Sequence, residues 1–192
     1  CFGNFAAALL HHDKTAPLPF ETMAGVVTAT FEKDDNVTVN LTNPHSMQLF
    51  VLNADPTVGA DVHFLNTGVP HAVAFLDKLE GLDISRLGAY LRYHEAFSPK
   101  GTNANFARIL SPGHIAIRTY ERGVEDETLA CGTGITACAL LHAVLTDAPS
   151  PIQVDVAGGD TLKVGFQRTG DRFTDVTLTG PADLVFTGDI QI

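Results

Sequence analysis

Residues 135–145 read Ile-Thr-Ala-Cys-Ala-Leu-Leu-His-Ala-Val-Leu, a run with apolar side chains on every side of a helix. A helix without a polar face has to be buried, so the rest of the chain must wrap around it. The run follows Cys131-Gly132-Thr133-Gly134. The two glycines let the backbone approach a ligand closely. The first free amides of the helix, at the positive end of its dipole, point toward Cys131. This setting favours an anion, either a bound carboxylate or the thiolate itself. A strand over residues 115–120 and a polar, acidic loop lead into it.

The flanking segments suggest what encloses the helix. Residues 5–12 read as a second short buried helix, and residues 15–20 as a loop with two prolines. Residues 20–33 carry alternation that suggests a strand or hairpin. A turn at 34–36 leads to a partner strand marked by Val37, Val39 and Leu41, and residues 43–45 read as a turn. Strands are expected at 62–65 and 72–76. A helix is expected over 84–93, with Asp83 as its N-cap. Residues 103–110 and 115–120 form a hairpin through Ser111-Pro112-Gly113. Strands near 152–156, 162–167, 176–178 and 184–186 complete an α+β order of antiparallel strands around buried helices.

Composition removes several classes of function. The chain has 192 residues and a net charge of −10, against the basic face that nucleic acid requires. Its apolar runs are far shorter than a membrane span, and no basic amphipathic helix suggests membrane binding. Three cysteines make an odd count, which points to free thiols in a reducing cytoplasm rather than a disulfide framework. No Cys/His cluster has metal-ligand spacing.

A cysteine is most often a small buried hydrophobe, and Cys138, two turns along the helix, reads that way. Cys131 differs because it stands at a helix start beside glycines. The chain also opens on a similar element, Cys1-Phe2-Gly3-Asn4-Phe5 followed by residues 6–11. Gly3, Ala6, Ala8, Leu9, Leu10 and His11 match Gly134, Ala137, Ala139, Leu140, Leu141 and His142 at one constant offset. This suggests an internal duplication and two thiols facing each other across a cleft as an acid and a base.

The motifs Asn66-Thr67-Gly68-Val69-Pro70-His71, Gly101-Thr102-Asn103-Ala104-Asn105-Phe106, Tyr120-Glu121-Arg122-Gly123, Glu127-Thr128-Leu129-Ala130-Cys131-Gly132-Thr133-Gly134, Gly158-Gly159 and Leu178-Thr179-Gly180-Pro181-Ala182 occur in that order. In this the chain resembles the diaminopimelate epimerases, PLP-independent amino-acid epimerases. The resemblance implies two pseudo-symmetric domains, each an antiparallel β-structure around a central helix. Residues 58–182 would be the C-terminal domain. Residues 1–57 would be the remnant of an N-terminally truncated first domain, completed by the last strand at 183–192. It further implies a homodimer, a cytoplasmic location, no cofactor, and epimerisation of LL-diaminopimelate for lysine and peptidoglycan synthesis.

Within that resemblance Cys1 and Cys131 are the acid/base pair. Gly3, Asn4, Gly132 and Thr133 surround the substrate carboxylate and offset the charge that develops as the α-proton leaves. Glu121 and Arg122 recognise the amino-acid groups, a role that a carboxylate and a guanidinium suit. His71 lies near the catalytic thiol, and Asn103 contacts the distal end of the substrate. The chain departs from the family pattern at Val69, where the family has Asn, and at Phe2 and Phe5 around the first Cys. A broader-specificity or proline-type racemase of the same fold, or a catalytically dead fragment, are the competing readings. Substrate scope separates the first, and loss of α-proton exchange the second.

Overall fold

The computed structural model describes residues 15–22, 25–32, 36–182 and Gly188. The expected helix at 5–12, the turn residues 34 and 35, and the strand at 184–186 lie outside the described residues, as do Cys1, Gly3 and Asn4.

The strands are β1 (Leu18–Thr22), β2 (Gly25–Phe31), β3 (Asn36–Asn40), β4 (His45–Asp55), β5 (Ala60–Asn66), β6 (Pro70–Phe75), β7 (Asn103–Ser111), β8 (His114–Glu121), β9 (Asp126–Thr128), β10 (Ile152–Asp155), β11 (Thr161–Thr169) and β12 (Arg172–Pro181). The helices are α1 (Ile84–Tyr93) and α2 (Gly132–Thr146), with a short 3₁₀ turn at Glu95–Phe97. Eleven of the strands join in one path, β1-β2-β3-β12-β11-β10-β8-β7-β6-β5-β4, and β9 folds back onto β8. Most pairings are antiparallel, but β6–β7 and β8–β10 are parallel. Each parallel pair is joined by a crossover that carries a helix, α1 after β6 and α2 after β8.

The two helices take opposite faces of the central strands. The pleat alternates side chains between them. On β6 and β7, Val73 and Ala107 join the core around α2, with Phe75 packed against it. Ala72, Ala74, Ala104 and Phe106 join the core around α1. Helix α1 is one-sided, burying Ile84, Leu87, Gly88 and Leu91. Its start is held as expected, with the Asp83 carboxylate accepting the Arg86 amide at 3.1 Å. Helix α2 is buried from Gly134 through Ala143 without a break. Leu140 and Leu141 are fully covered, each contributing about 1.5–3 kcal/mol relative to exposure. Cys138 is also fully buried, as a core residue.

Two local expectations are corrected, and one strand, β4, was not foreseen. Residues 18–20 are the start of strand β1 rather than loop, with Pro19 opposite Thr28. Pro lacks an amide for a ladder, and among the described strands β1 is the outermost, where such a residue is tolerated best. Strand β4 carries no regular alternation because its pairing with β5 shifts register three times. Ser46, Phe50 and Ala54 sit at φ of 56°, 56° and 42° within it, so inward and outward positions do not follow a period of two. The acidic loop before Cys131 holds β9, three residues paired with Thr119, Tyr120 and Glu121.

Candidate active site

The site is built where β6, β7 and β8 meet the first turn of α2. Parallel pairing sets His71 beside Asn103 and Val73 beside Asn105. Antiparallel pairing sets Asn105 beside Thr119. The pleat that sends Ala72, Phe106 and Tyr120 to α1 turns His71, Asn105 and Thr119 toward α2. These are buried polar groups in an otherwise apolar layer, and such groups persist when their hydrogen bonds are met.

Those bonds form a directed chain. Asn105 Nδ2 donates to the Ala72 carbonyl at 2.9 Å and to His71 Nδ1 at 3.1 Å, while its Oδ1 accepts the Thr119 hydroxyl at 3.0 Å. A carbonyl only accepts, so Ala72 fixes which end of the Asn105 amide is nitrogen. His71 Nδ1 is then an acceptor, and the ring proton sits on Nε2. Nε2 lies 2.9 Å from Thr133 Oγ1, which therefore accepts from it. The Thr133 hydroxyl is left to donate to Cys131 Sγ, 3.6 Å away. Burial, opposed by the Asn105 bond and helped by the Arg122 charge, pulls the His71 pKa down to about 3. At neutral pH the ring acts as a neutral dipole.

Helix α2 brings the thiol onto this chain. Cys131 is the N-cap, extended at φ −129° and ψ 105°. Thr67 fastens the first turn by donating its hydroxyl to the Thr133 carbonyl at 2.9 Å. The turn sits so low that a Cβ on Gly134 would come 2.5 Å from Asn105 Oδ1 and 3.3 Å from His71 Cε1. Gly134→Ala is therefore expected to push α2 off the relay. A stability loss of about 1–3 kcal/mol and a rate loss near 100-fold should follow. Urea unfolding and steady-state kinetics read the two effects; wild-type kinetics in the variant would refute the close-approach argument.

Of the two anions the sequence allows at this helix start, burial disfavours the thiolate. Cys131 is 8% exposed, and burial pushes its pKa up. The Thr133 hydroxyl and the amides of Gly134 and Thr133 pull it down, while the Glu121 charge adds to the rise. Desolvation of a charge outweighs these few donors, so Cys131 rests as a thiol.

Arg122 stands at the other side of the site. Its amide donates to Asn103 Oδ1 at 2.8 Å, and its Nη1 donates to the Lys100 carbonyl at 3.2 Å. No ion pair joins Arg122 to Glu121 or to any other carboxylate among the described residues. A cavity of about 430 Å³ opens beside it, lined also by Gln48, Phe64, Asn66, Phe97 and Lys100 and, among the described residues, by no acidic one. Asn103 is itself buried, and its Nδ2 donates to the Pro70 carbonyl at 2.9 Å. It thus braces the backbone under Arg122. Of the residues singled out from sequence, His71, Gly132, Thr133 and Cys131 come together, and Asn103, Glu121 and Arg122 follow on the adjoining strand ends. Sequence reasoning passed over Thr67, Asn105 and Thr119. Asn105 was detectable, since Asn103 and Asn105 are two amides on one face at the otherwise apolar start of a strand, residues 103–107.

The diaminopimelate epimerase family model matches residues 63–185. A diaminopimelate epimerase of Aquifex aeolicus is 42% identical over 174 residues, 90% of this chain and 61% of that protein. One from Hydrogenobaculum sp. is 41% identical, over 97% of this chain and 68% of that protein. The chain thus spans 61% and 68% of the lengths of these two relatives. A hydroxyproline epimerase from Agrobacterium vitis, solved with bound trans-4-hydroxy-L-proline, superposes with a TM-score of 0.62 at 22% identity, over 86% of this chain and 56% of that one. That likeness establishes the shared fold. By its matched motifs and its relatives, the chain belongs to the diaminopimelate epimerase family.

Proposed function

We propose that the protein is a PLP-independent epimerase that interconverts LL- and meso-diaminopimelate, supplying lysine and peptidoglycan precursors. The observation that carries this reading is the buried Cys131 thiol at the start of α2, tied through Thr133 to a neutral His71. Arg122, without a carboxylate partner among the described residues, stands at the adjoining strand end.

In this reading Arg122 takes a substrate carboxylate. The Cα–H bond breaks toward one thiolate, and the electron pair spreads into the α-carboxylate. The amides of the α2 first turn, at Gly132 and Thr133, offset that charge. The opposite thiol then delivers a proton to the other face of Cα. Cys131, a thiol at rest, is the proton donor in one direction and the base in the reverse. Once it is a thiolate, the Thr133 hydroxyl donates to it while His71 supports the hydroxyl. The second acid/base group is Cys1, with Gly3 and Asn4 beside it. Glu121 faces the substrate ammonium.

Exchange of the substrate α-proton with solvent deuterium tests the reading. The full chain is expected to exchange it and to convert LL- into meso-diaminopimelate. Exchange with proline and not with diaminopimelate would favour a proline-type racemase, and no exchange would mark a catalytically dead fragment. A homodimer acting in the cytoplasm belongs to the same proposal, from family membership and the free thiols. Light scattering of the purified protein tests the dimer.

A further inference from the structure

Arg92 lies on α1, outside the residues that face Cys131, yet it touches both pieces of backbone that hold Arg122. Its Nε donates to Glu125 Oε1 at 3.1 Å, and its side chain is only 16% exposed. The same Glu125 oxygen accepts the Gly123 amide at 3.1 Å. The Glu125 amide in turn donates to the Glu121 carbonyl at 2.8 Å, which closes the turn 121–125 around Arg122. That turn needs φ of +96° at Gly123 and +60° at Glu125. A non-glycine residue pays for a positive φ, so Glu125 stays there because its surroundings hold it.

The second piece is the loop at Lys100 and Gly101. Gly101 sits at φ +66°, and a Cβ there would collide with Arg92 Nη1 and the Arg92 carbonyl. Arg92 therefore packs directly against the Gly101 backbone. Gly101 follows Lys100, whose carbonyl accepts the Arg122 guanidinium. One side chain thus grips the turn that carries Arg122 and the loop that aims it.

We propose that Arg92 is a positioning residue that pre-organises Arg122 for a substrate carboxylate. This rests on the epimerase reading for its kinetic consequence, but the brace itself exists without substrate. A guanidinium suits the task, since its Nε bonds Glu125 while its Nη1 reaches the Gly101 backbone and its carbon lies over the Tyr93 ring.

Two measurements on the full chain decide it. Arg92→Ala should fold, because alanine is the best helix former and α1 keeps its buried face. In substrate-free protein, amide hydrogen exchange at Gly123 and Glu125 is expected to quicken by about tenfold or more while β6 and β7 stay protected. Unchanged protection of that turn would overturn the proposal whatever the activity. With LL-diaminopimelate as the probe, KM is expected to rise about tenfold and kcat to fall less than about threefold, the split for lost binding rather than lost chemistry. Arg92→Lys, which keeps the charge toward Glu125 but loses the nitrogen that packs on Gly101, should restore KM only in part. A folded Arg92→Ala protein with the parent's KM would also overturn the proposal. A parent that exchanges no α-proton would refute the epimerase reading alone, and the hydrogen-exchange result would then decide the role of Arg92.

Discussion

Serine in place of Cys131 is expected to lower epimerisation by about 10²- to 10⁴-fold, the usual contribution of a positioned acid/base group. A hydroxyl is a far weaker acid than a thiol. The Thr133–His71 relay that steadies a thiolate cannot bring an alkoxide into range at neutral pH. The fold should be untouched or slightly firmer. Cys131 is an N-cap without a side-chain bond to the helix amides, and serine is a preferred N-cap worth up to about 1 kcal/mol. Lost turnover with an unchanged or raised urea midpoint is therefore the expected pair of results. α-Proton exchange from one substrate enantiomer is expected to persist through Cys1. Unaltered turnover in the variant would sink the assignment of Cys131.

Acid should unfold this protein earlier than its carboxylates alone dictate, through His71. In the folded state burial holds its pKa near 3, against an ordinary value of 6.5 in the unfolded chain. Between those values the unfolded chain binds a proton that the folded one refuses, so stability falls as pH falls. Above pH 6.5 the group has no effect. The loss reaches about 2 kcal/mol by pH 5 and at most about 5 kcal/mol by pH 3. His63 and His142 are also held below their ordinary value by burial, and they push in the same direction. Urea unfolding of the wild type and His71→Gln between pH 7.5 and 5 reads the effect. The variant is expected to show a shallower fall with pH. Parallel slopes for the two proteins would show that His71 is not buried neutral.

A large part of this architecture was legible along the chain. Helix α2 announced itself because residues 135–145 leave no side for water. Helix α1 did so because Asp83 offers its carboxylate to the first turn and the apolar residues recur on one face. The β7–β8 hairpin followed from alternation on either side of Ser111-Pro112-Gly113. The position of Cys131 before two glycines marked the site. In each case the signal is local, because period, cap and turn chemistry act over a few residues.

Strand β4 was illegible because three register shifts break the period that reveals a strand. Strand β1 was hidden by Pro19, which local propensity counts against a strand and which tertiary pairing places on the outermost of the described strands. The role of Asn105 depends on a parallel neighbour 34 residues away and on a helix that arrives from elsewhere. Arg92 and Glu125 are 33 residues apart and share no sequence period. Cys131 shows the division most plainly. Its place at the start of a helix and the donors around it were determined by sequence, and the donors do favour a thiolate. Whether they win depends on how much water the fold removes from the sulfur. The strands that close over it decide that, because desolvating a charge outweighs a few hydrogen bonds, and no local pattern records the depth of burial.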